Sequence, residues 1–335
     1  MTINRDVVAT ALLACTPWAN AERRPLAGDA SNRRYERLTD PDTGKTAVLM
    51  DAPPEKGEDV RPFVKVAAYL RDQGLSAPEI YAEDADHGFL LLEDLGDALF
   101  ARVIPEHPEL ETTLYESATD LLVALYDAPT PRLDSYGPSL MAELASLAFT
   151  KYAAGITGKQ NPEIVSRFRI RFETLLQTLT QGRKMVVQRD YHAENLLWLP
   201  DRDGVARVGL LDFQDAMIGH PAYDLVSLLQ DIRRDVPAGV ELAMITRFIE
   251  KTGFDDHAFR VAYSALGAQR NLRILGVFAR LGMEYGKPDY VDMIPKVWAH
   301  LMRDLDHPAL APIASMVIDA LPMPSRENLQ KLKAK

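Results

Sequence analysis

The chain has 335 residues, 47% hydrophobic and 26% charged, with 38 Lys and Arg against 48 Asp and Glu and a formal net charge of −10. That length admits one large or two medium domains with ample sequence for a core, in the composition range of ordinary soluble globular proteins. The acidic balance argues against nucleic acid or an anionic membrane as the main partner; a single cysteine, Cys15, excludes an internal disulfide framework; and no run approaches the ~18 apolar residues of a membrane span.

The elements follow in chain order. Leu12-Leu13-Ala14-Cys15 ends a short apolar run faintly like a lipoprotein cleavage site. Asp6 precedes that run, and Val7, Val8, Leu12 and Leu13 recur at helical spacing, so residues 4–15 are predicted as an amphipathic helix of a cytoplasmic chain. Tyr35–Leu38 and Thr46–Met50 read as strands flanking the turn "TDPDTGK". Residues 60–73 place Val64, Ala67, Ala68 and Leu70 on a helix stopped by Gly74. Two further short strands follow, and the continuously apolar Phe89–Leu92 is expected at the centre of the sheet. This unit is predicted to span residues 1–93, with "DLGD", 94–97, as a hinge, and 98–335 as a second lobe. From residue 98 onward, helix-like patterns dominate: 109–127, 139–154, 162–180, 222–233, 238–252, 256–282, 290–304 and 310–320. Strand signals there are confined to Met185–Val187, Leu196–Trp198 and 205–213. The expected class is α+β, a small sheet-rich N-terminal lobe and a larger, mainly helical C-terminal lobe. A small-molecule site is expected in the crevice between lobes.

Within "MVVQRDYHAENLLWLP" a core-like chain is interrupted by polar residues from Gln188 to Asn195. Burying even one such group without a partner costs roughly 2–7 kcal/mol, so the cluster is either a solvated turn or part of a site. Asp190 and Asn195 lie five residues apart, and Asp212 follows 17 residues after Asn195, directly behind the apolar run Val208-Gly209-Leu210-Leu211. The segment between reads as a hairpin turning at "PDRDG", which brings Asn195 and Asp212 together. An amide oxygen and a carboxylate form a sparse hard-oxygen pair suited to Mg2+, which keeps waters and takes other ligands from phosphates. Asp190 is then available to accept a proton from an attacking hydroxyl, the division of labour of metal-assisted phosphoryl transfer.

"QRDYHAENLLW" followed by "LLDFQDAMIGHPAYDLVSLLQD" resembles the core of the aminoglycoside phosphotransferase family, small-molecule relatives of protein kinases. The family's H-x-D-x-x-x-x-N loop and D-F/D-W segment match at Asp190, Asn195 and Asp212, and its D-L-A segment at Asp224. The resemblance implies a two-lobed protein-kinase-like fold, ATP as co-substrate, Mg2+ on Asn195 and Asp212, Asp190 as catalytic base and Asp224 as a structural carboxylate. "GDASNRRYERL", "AVLMDAPPE", "PFVKVAAYL", "GFLLLEDLGD" and "AQRNLRILGVFARL" are similar to one branch, the anomeric sugar kinases of bacterial cell-wall recycling. That similarity implies phosphorylation of N-acetylmuramate and N-acetylglucosamine at the C1 hydroxyl, leading toward UDP-N-acetylmuramate. It also implies backbone contacts to adenine from Glu93 and Leu95.

The chain departs from the pattern in three places. Gln188 stands where the loop usually begins with His, and is expected to donate to backbone instead. Met50 stands where a kinase strand carries the Lys that holds the nucleotide phosphates, leaving Arg33, Arg34 and Lys65 as candidate cations. The first loop has only Gly28, though backbone N–H groups around Ala30, Ser31 and Asn32, with Arg33, could cradle phosphate. Other assignments stay open between site and structure. Glu194, Gln214 and Asp215 face the acceptor or water. His192 and His220 read as hydrogen-bonded structural histidines. Arg270 or Arg273 either meets the lactyl carboxylate of N-acetylmuramate or flanks an ordinary amphipathic helix. The competing functions are a kinase of the same fold for an aminoglycoside, choline or amino-alcohol, and an inactive kinase-like scaffold.

Overall fold

The computed structural model describes residues 4–26 and 32–333. The chain forms two compact units, Met1–Ser117 with Glu194–Ala216, and Ala118–Ala193 with Met217–Lys335. Segment 94–97, read as a hinge, lies inside the first unit.

The first unit opens with α1 (Arg5–Ala14), capped by the Asn4 side chain, which accepts the Asp6 N–H. Strands β1 (Glu22–Leu26), β2 (Arg34–Thr39), β3 (Thr46–Asp51), β4 (Ile80–Asp84) and β5 (Phe89–Glu93) form one antiparallel sheet in the order β1-β2-β3-β5-β4. Alternation along each strand sends Leu38, Ala47, Leu49, Phe89 and Leu91 into a core shared with Ala9 and Leu13 of α1. Arg5 ties that helix down, donating through Nε to Asp51 at 2.7 Å and lying over the Phe89 ring. The run Phe89–Leu92 is fully buried as expected, but its strand is second from the edge; β3 is the centre, because β4 closes the far side. Strand β1 escaped the sequence reading: "ERRPL" is polar and holds a proline, a composition tolerated only at an edge, where this strand lies.

Helix α2 (Arg61–Asp72) has Pro62 in its first turn, buries Phe63, Val66, Ala67 and Leu70 along one face, and stops before Gly74, whose φ of 76° suits glycine. Next come α3 (Phe100–Glu106), which the sequence reading missed, and α4 (Glu111–Asp127), whose first residues close the first unit. The hairpin of β7 (Leu196–Trp198) and β8 (Val208–Leu210) is attached to this unit by backbone bonds. Leu210 N–H donates to Ser76 O at 2.9 Å and Trp198 N–H to Ala98 O at 2.8 Å. Only 208–210 of the predicted 205–213 strand is extended, since 204–207 make a 3-10 turn.

The second unit contains α5 (Pro138–Ala145), α6 (Ala154–Thr157), α7 (Pro162–Leu179), α8 (Ala222–Leu229), α9 (Ala238–Thr252), α10 (Asp256–Glu284), α11 (Asp289–Asp292), α12 (Ile294–Leu305), α13 (Ala311–Ala320) and α14 (Arg326–Lys333). The single helix expected over 139–154 is broken by a π-helical stretch, Ala148–Ala153, and that over 222–233 ends at Leu229. Helix α10, 29 residues long, is buried on every side over its middle, from Ala265 to Leu272, and forms the axis against which α5, α8 and α12 pack. Gly276 makes one of these contacts possible: a Cβ there would sit 2.3 Å from the Cβ of Leu147. A two-stranded sheet joins β6 (Met185–Val187) to β9 (Met217–Gly219), a strand too short to be read from periodicity. Among the described residues no helix is long and apolar enough to cross a membrane.

Candidate active site

Asp190 follows β6, whose three residues are wholly buried, and the chain must leave that core on a polar loop. The turn needs Arg189 at φ 73°, a left-handed conformation that costs a non-glycine residue about 1 kcal/mol or more. Three groups of the second unit hold it there. Asp224, fully buried in the first turn of α8, accepts the N–H of Gln188 at 2.6 Å and of Arg189 at 2.9 Å. Ser227, one turn further along α8, donates to the Arg189 carbonyl at 3.3 Å and accepts from Arg270 Nη2 at 2.9 Å. Past Asp190, Tyr191 is anchored by its hydroxyl, which donates to Ala118 O at 2.8 Å. Both peptides around Arg189 are thus pinned, and half-buried Asp190 projects from a loop with little freedom. The expected donation by the Gln188 side chain is not found. Its backbone N–H bonds instead, to Asp224, and its buried side-chain nitrogen has no hydrogen-bond partner among the described residues.

In the first unit the hairpin brings its ends together as the sequence predicts. Leu196 pairs with Leu210, and Leu211 N–H donates to Asn195 O at 3.0 Å, so Asn195 and Asp212 flank the same end of the ladder. Asp212 also has positive φ, 56°, and is the other non-glycine residue so placed among the described residues. Phe213 behind it is fully buried against Phe63, ring centroids 4.7 Å apart, which anchors the turn. The Asp212 carboxylate accepts from Gln214 Nε2 at 2.7 Å and lies 4.0 Å from Arg33 Nη1. Among the described residues no group of three or more His, Cys, Asp and Glu side chains could hold a metal alone. An amide oxygen and a carboxylate at one hairpin end nevertheless fit Mg2+, which takes few protein ligands and completes its shell with water and phosphate.

Ala30 and Ser31 lie outside the described residues. Exposed Asn32 donates through its N–H to Glu58 at 3.2 Å, and the Arg33 Nε donates to the same carboxylate at 2.9 Å. The Glu93 N–H donates to Glu79 O, and its side chain pairs with Arg202 at 2.5 Å, so the interactions of this residue lie within the first unit. Leu95 is buried. Beside it Asp94 and Asp97 both pair with Arg37 of β2, at 2.7 Å each, which fixes the 93–97 segment to the sheet.

The acceptor candidates are dispersed. Glu194 and Asp215 are exposed, and Gln214 is committed to Asp212. Arg270 is buried as part of the brace on Arg189; Arg273 donates to the Tyr223 hydroxyl at 3.3 Å beside the Tyr136–Tyr223 pair. Sequence reading missed Ser227 and Glu58. Ser227 carries one weak signal, its three-residue spacing from Asp224 on a helix, whereas Glu58 sits in a loop with none.

Burial pushes His192 down to about 4 and His220 down to about 3. Both are neutral structural groups; His220 Nδ1 accepts the Ala222 N–H at 3.2 Å. Their stabilising effect is complete above the ordinary histidine value and is lost as pH falls, because the unfolded chain takes up protons the native state refuses. Burial moves Asp224 the opposite way, up to about 7 against its two N–H donors, so its contribution weakens as pH rises through that value. Through His220 alone, lowering pH from 7 to 5 should cost about 2 kcal/mol. Asn retains an acceptor for Ala222 but does not titrate. His220→Asn should therefore flatten the fall of Tm between pH 7 and 5, and an unchanged slope would remove His220 from this role.

The chain belongs to the phosphotransferase enzyme family, whose model matches residues 22–260 and so spans both the braced Asp190 loop and the hairpin joining Asn195 to Asp212. Across most of its length it is similar to proteins named N-acetylmuramate/N-acetylglucosamine kinase. That of Caulobacter vibrioides is 38% identical, over 96% of this chain and 98% of the relative. That of Pseudomonas aeruginosa is 34% identical, over 84% and 83%. A solved choline kinase from Cryptosporidium parvum Iowa II superposes with a TM-score of 0.61 at 10% identity, over 93% of this chain and 99% of that one, a likeness of fold alone. The α+β kinase-like architecture expected from the sequence is the one observed.

Proposed function

We propose that the chain is an ATP- and Mg2+-dependent kinase that phosphorylates the anomeric C1 hydroxyl of N-acetylmuramate and N-acetylglucosamine. It thereby serves the recycling of peptidoglycan sugars toward UDP-N-acetylmuramate. The observation that carries this reading is the 38% identity, over nearly the whole of both chains, to a kinase named for those two sugars. The retained Asp190, Asn195 and Asp212 support it chemically, since an inactive scaffold needs none of them.

Asn195 and Asp212 would hold the divalent ion, which when bound neutralises charge on the transferring phosphate. Asp190 orients the C1 hydroxyl and takes its proton as the oxygen forms its bond to the γ-phosphorus and the bridging bond to ADP breaks. The brace from Asp224 and Ser227 keeps that carboxylate from relaxing with the loop. Arg270 and Arg273 both lie in the electrostatic neighbourhood of the loop, Arg270 acting on Asp224 and Arg273 on Asp190. Such a surrounding favours an acidic or neutral acceptor over the cationic aminoglycoside, choline or amino-alcohol.

Incubation with Mg-ATP and a panel of amino sugars, choline and an aminoglycoside, with products read by phosphorus NMR, tests the acceptor and the position together. C1-phosphates of both N-acetyl sugars are expected. A 6-phosphate would overturn the regiochemistry, phosphocholine or a phosphorylated aminoglycoside alone would overturn the acceptor, and no product at all would favour the scaffold.

A further inference from the structure

Kinase chemistry ordinarily places a lysine on the third strand of the sheet, paired with a helix glutamate, against the nucleotide phosphates. Met50 occupies that place here. It is 2% exposed, between Tyr35 of β2 and Leu90 of β5, so the strand supplies apolar packing and no cation. Three other cations lie near in sequence and the structure separates them. Arg34 reaches Asp51 at 2.6 Å and leaves its side chain 64% exposed. Lys65 stands on the exposed face of α2. Arg33 is different: its side chain is 14% exposed, its Nε donates to Glu58 at 2.9 Å, and its Nη1 lies 4.0 Å from Asp212. Glu58 is 13% exposed, and its second oxygen accepts the Asn32 N–H at 3.2 Å, which fixes the carboxylate from two sides.

We propose that Arg33, held by Glu58, is the cation that binds the nucleotide phosphates in place of the strand lysine, delivered from the approach to β2 instead of from β3. This inference rests on the kinase reading above. A guanidinium suits the position better than an ammonium. Nε donates to Glu58, and the same planar group carries further N–H donors that can meet phosphate oxygens, whereas a lysine has one nitrogen for both tasks. The neighbouring Asp212, assigned to the metal, needs a nearby cation of fixed position if several phosphate charges are to be gathered at one place. Glu58 is the positioning residue, since it touches Arg33 and not the nucleotide.

The test is titration of the whole chain with ATP, with and without Mg2+ and in the absence of any sugar, followed by steady-state kinetics. Loss of the charged, directional donor in Arg33→Met should raise the nucleotide Kd about 10- to 100-fold in both series and lower kcat, with the sugar KM unchanged. Arg33→Lys should recover part of the affinity, and Glu58→Gln should lose less than Arg33→Met. Arg34→Met and Lys65→Met should stay within about twofold of wild type, as expected for surface charges. Unchanged thermal unfolding would confirm that each variant is folded. Wild-type affinity in folded Arg33→Met, or a comparable loss in Lys65→Met, would overturn the proposal. Absence of nucleotide binding by the wild type would overturn it together with the kinase reading. A loss confined to Arg33→Met supports the proposal even if no amino sugar is phosphorylated, in which case only the acceptor assignment falls.

Discussion

Replacing Asp190 with alanine is expected to lower kcat for phosphoryl transfer by about 10²- to 10⁴-fold, the usual contribution of a positioned general base. Nucleotide affinity should remain within a few-fold of wild type. The asymmetry follows from the division of residues: Asp190 stands on the loop behind β6, whereas the residues assigned to metal and phosphate stand on the hairpin and on the approach to β2. Asp212→Ala is the contrasting variant. It removes a carboxylate assigned to the metal and the partner of Arg33 and Gln214, so Mg-ATP binding should weaken along with turnover. Single-turnover kinetics and nucleotide titration on both proteins separate the two effects. Equal turnover in wild type and Asp190→Ala would take Asp190 out of the mechanism.

Asp224→Ala is expected to lose both stability and activity. The side chain is fully buried and accepts two backbone N–H groups, so its removal strands two donors in a place water cannot easily reach. Each orphaned donor costs about 1–3 kcal/mol, and the left-handed Arg189 peptide loses its restraint as well. A fall of roughly 3–5 kcal/mol in unfolding free energy is therefore expected, comparable to breaking a buried polar cluster. Asp224→Asn keeps one acceptor and should lie between the two. Urea denaturation gives the stability change, and kcat measured well below the midpoint gives the effect on the loop in molecules that remain folded. An unchanged midpoint in Asp224→Ala would show that the two bonds carry no net stabilisation. Unaltered kcat in the folded fraction would show that the loop holds its shape without them.

Much of the fold was readable along the chain because local patterns suffice for it. The α2 stripe, the hairpin between Asn195 and Asp212 and the long α10 each announce themselves through periodicity or turn chemistry within one segment. The misses share a cause. Strand β1 is polar and contains proline, and strand β9 has three residues; each exists through a partner, β2 or β6, supplied by another stretch of chain. The π-helical break at Ala148–Ala153 lies in a helix-like pattern and is set where Leu147 meets Gly276. Around the loop, Asp190 and Asp224 could be picked out by spacing, but Ser227 and Arg270 could not be joined to Arg189, from which they stand 38 and 81 positions away in the chain.

Sequence alone determined the groups available to this protein: the Asp190 carboxylate on a polar loop, an amide and a carboxylate at the ends of one hairpin, and a strand with Met50 where kinases carry lysine. Those facts are local and survive any folding detail. Tertiary structure decided which of two adjacent arginines is a solvated surface charge and which is withdrawn beside two carboxylates. The physical reason is that neighbours of identical charge differ only in burial and partners. Strand alternation turns Arg34 outward to Asp51, while Arg33 is drawn against Glu58, from a loop 25 residues later in the chain.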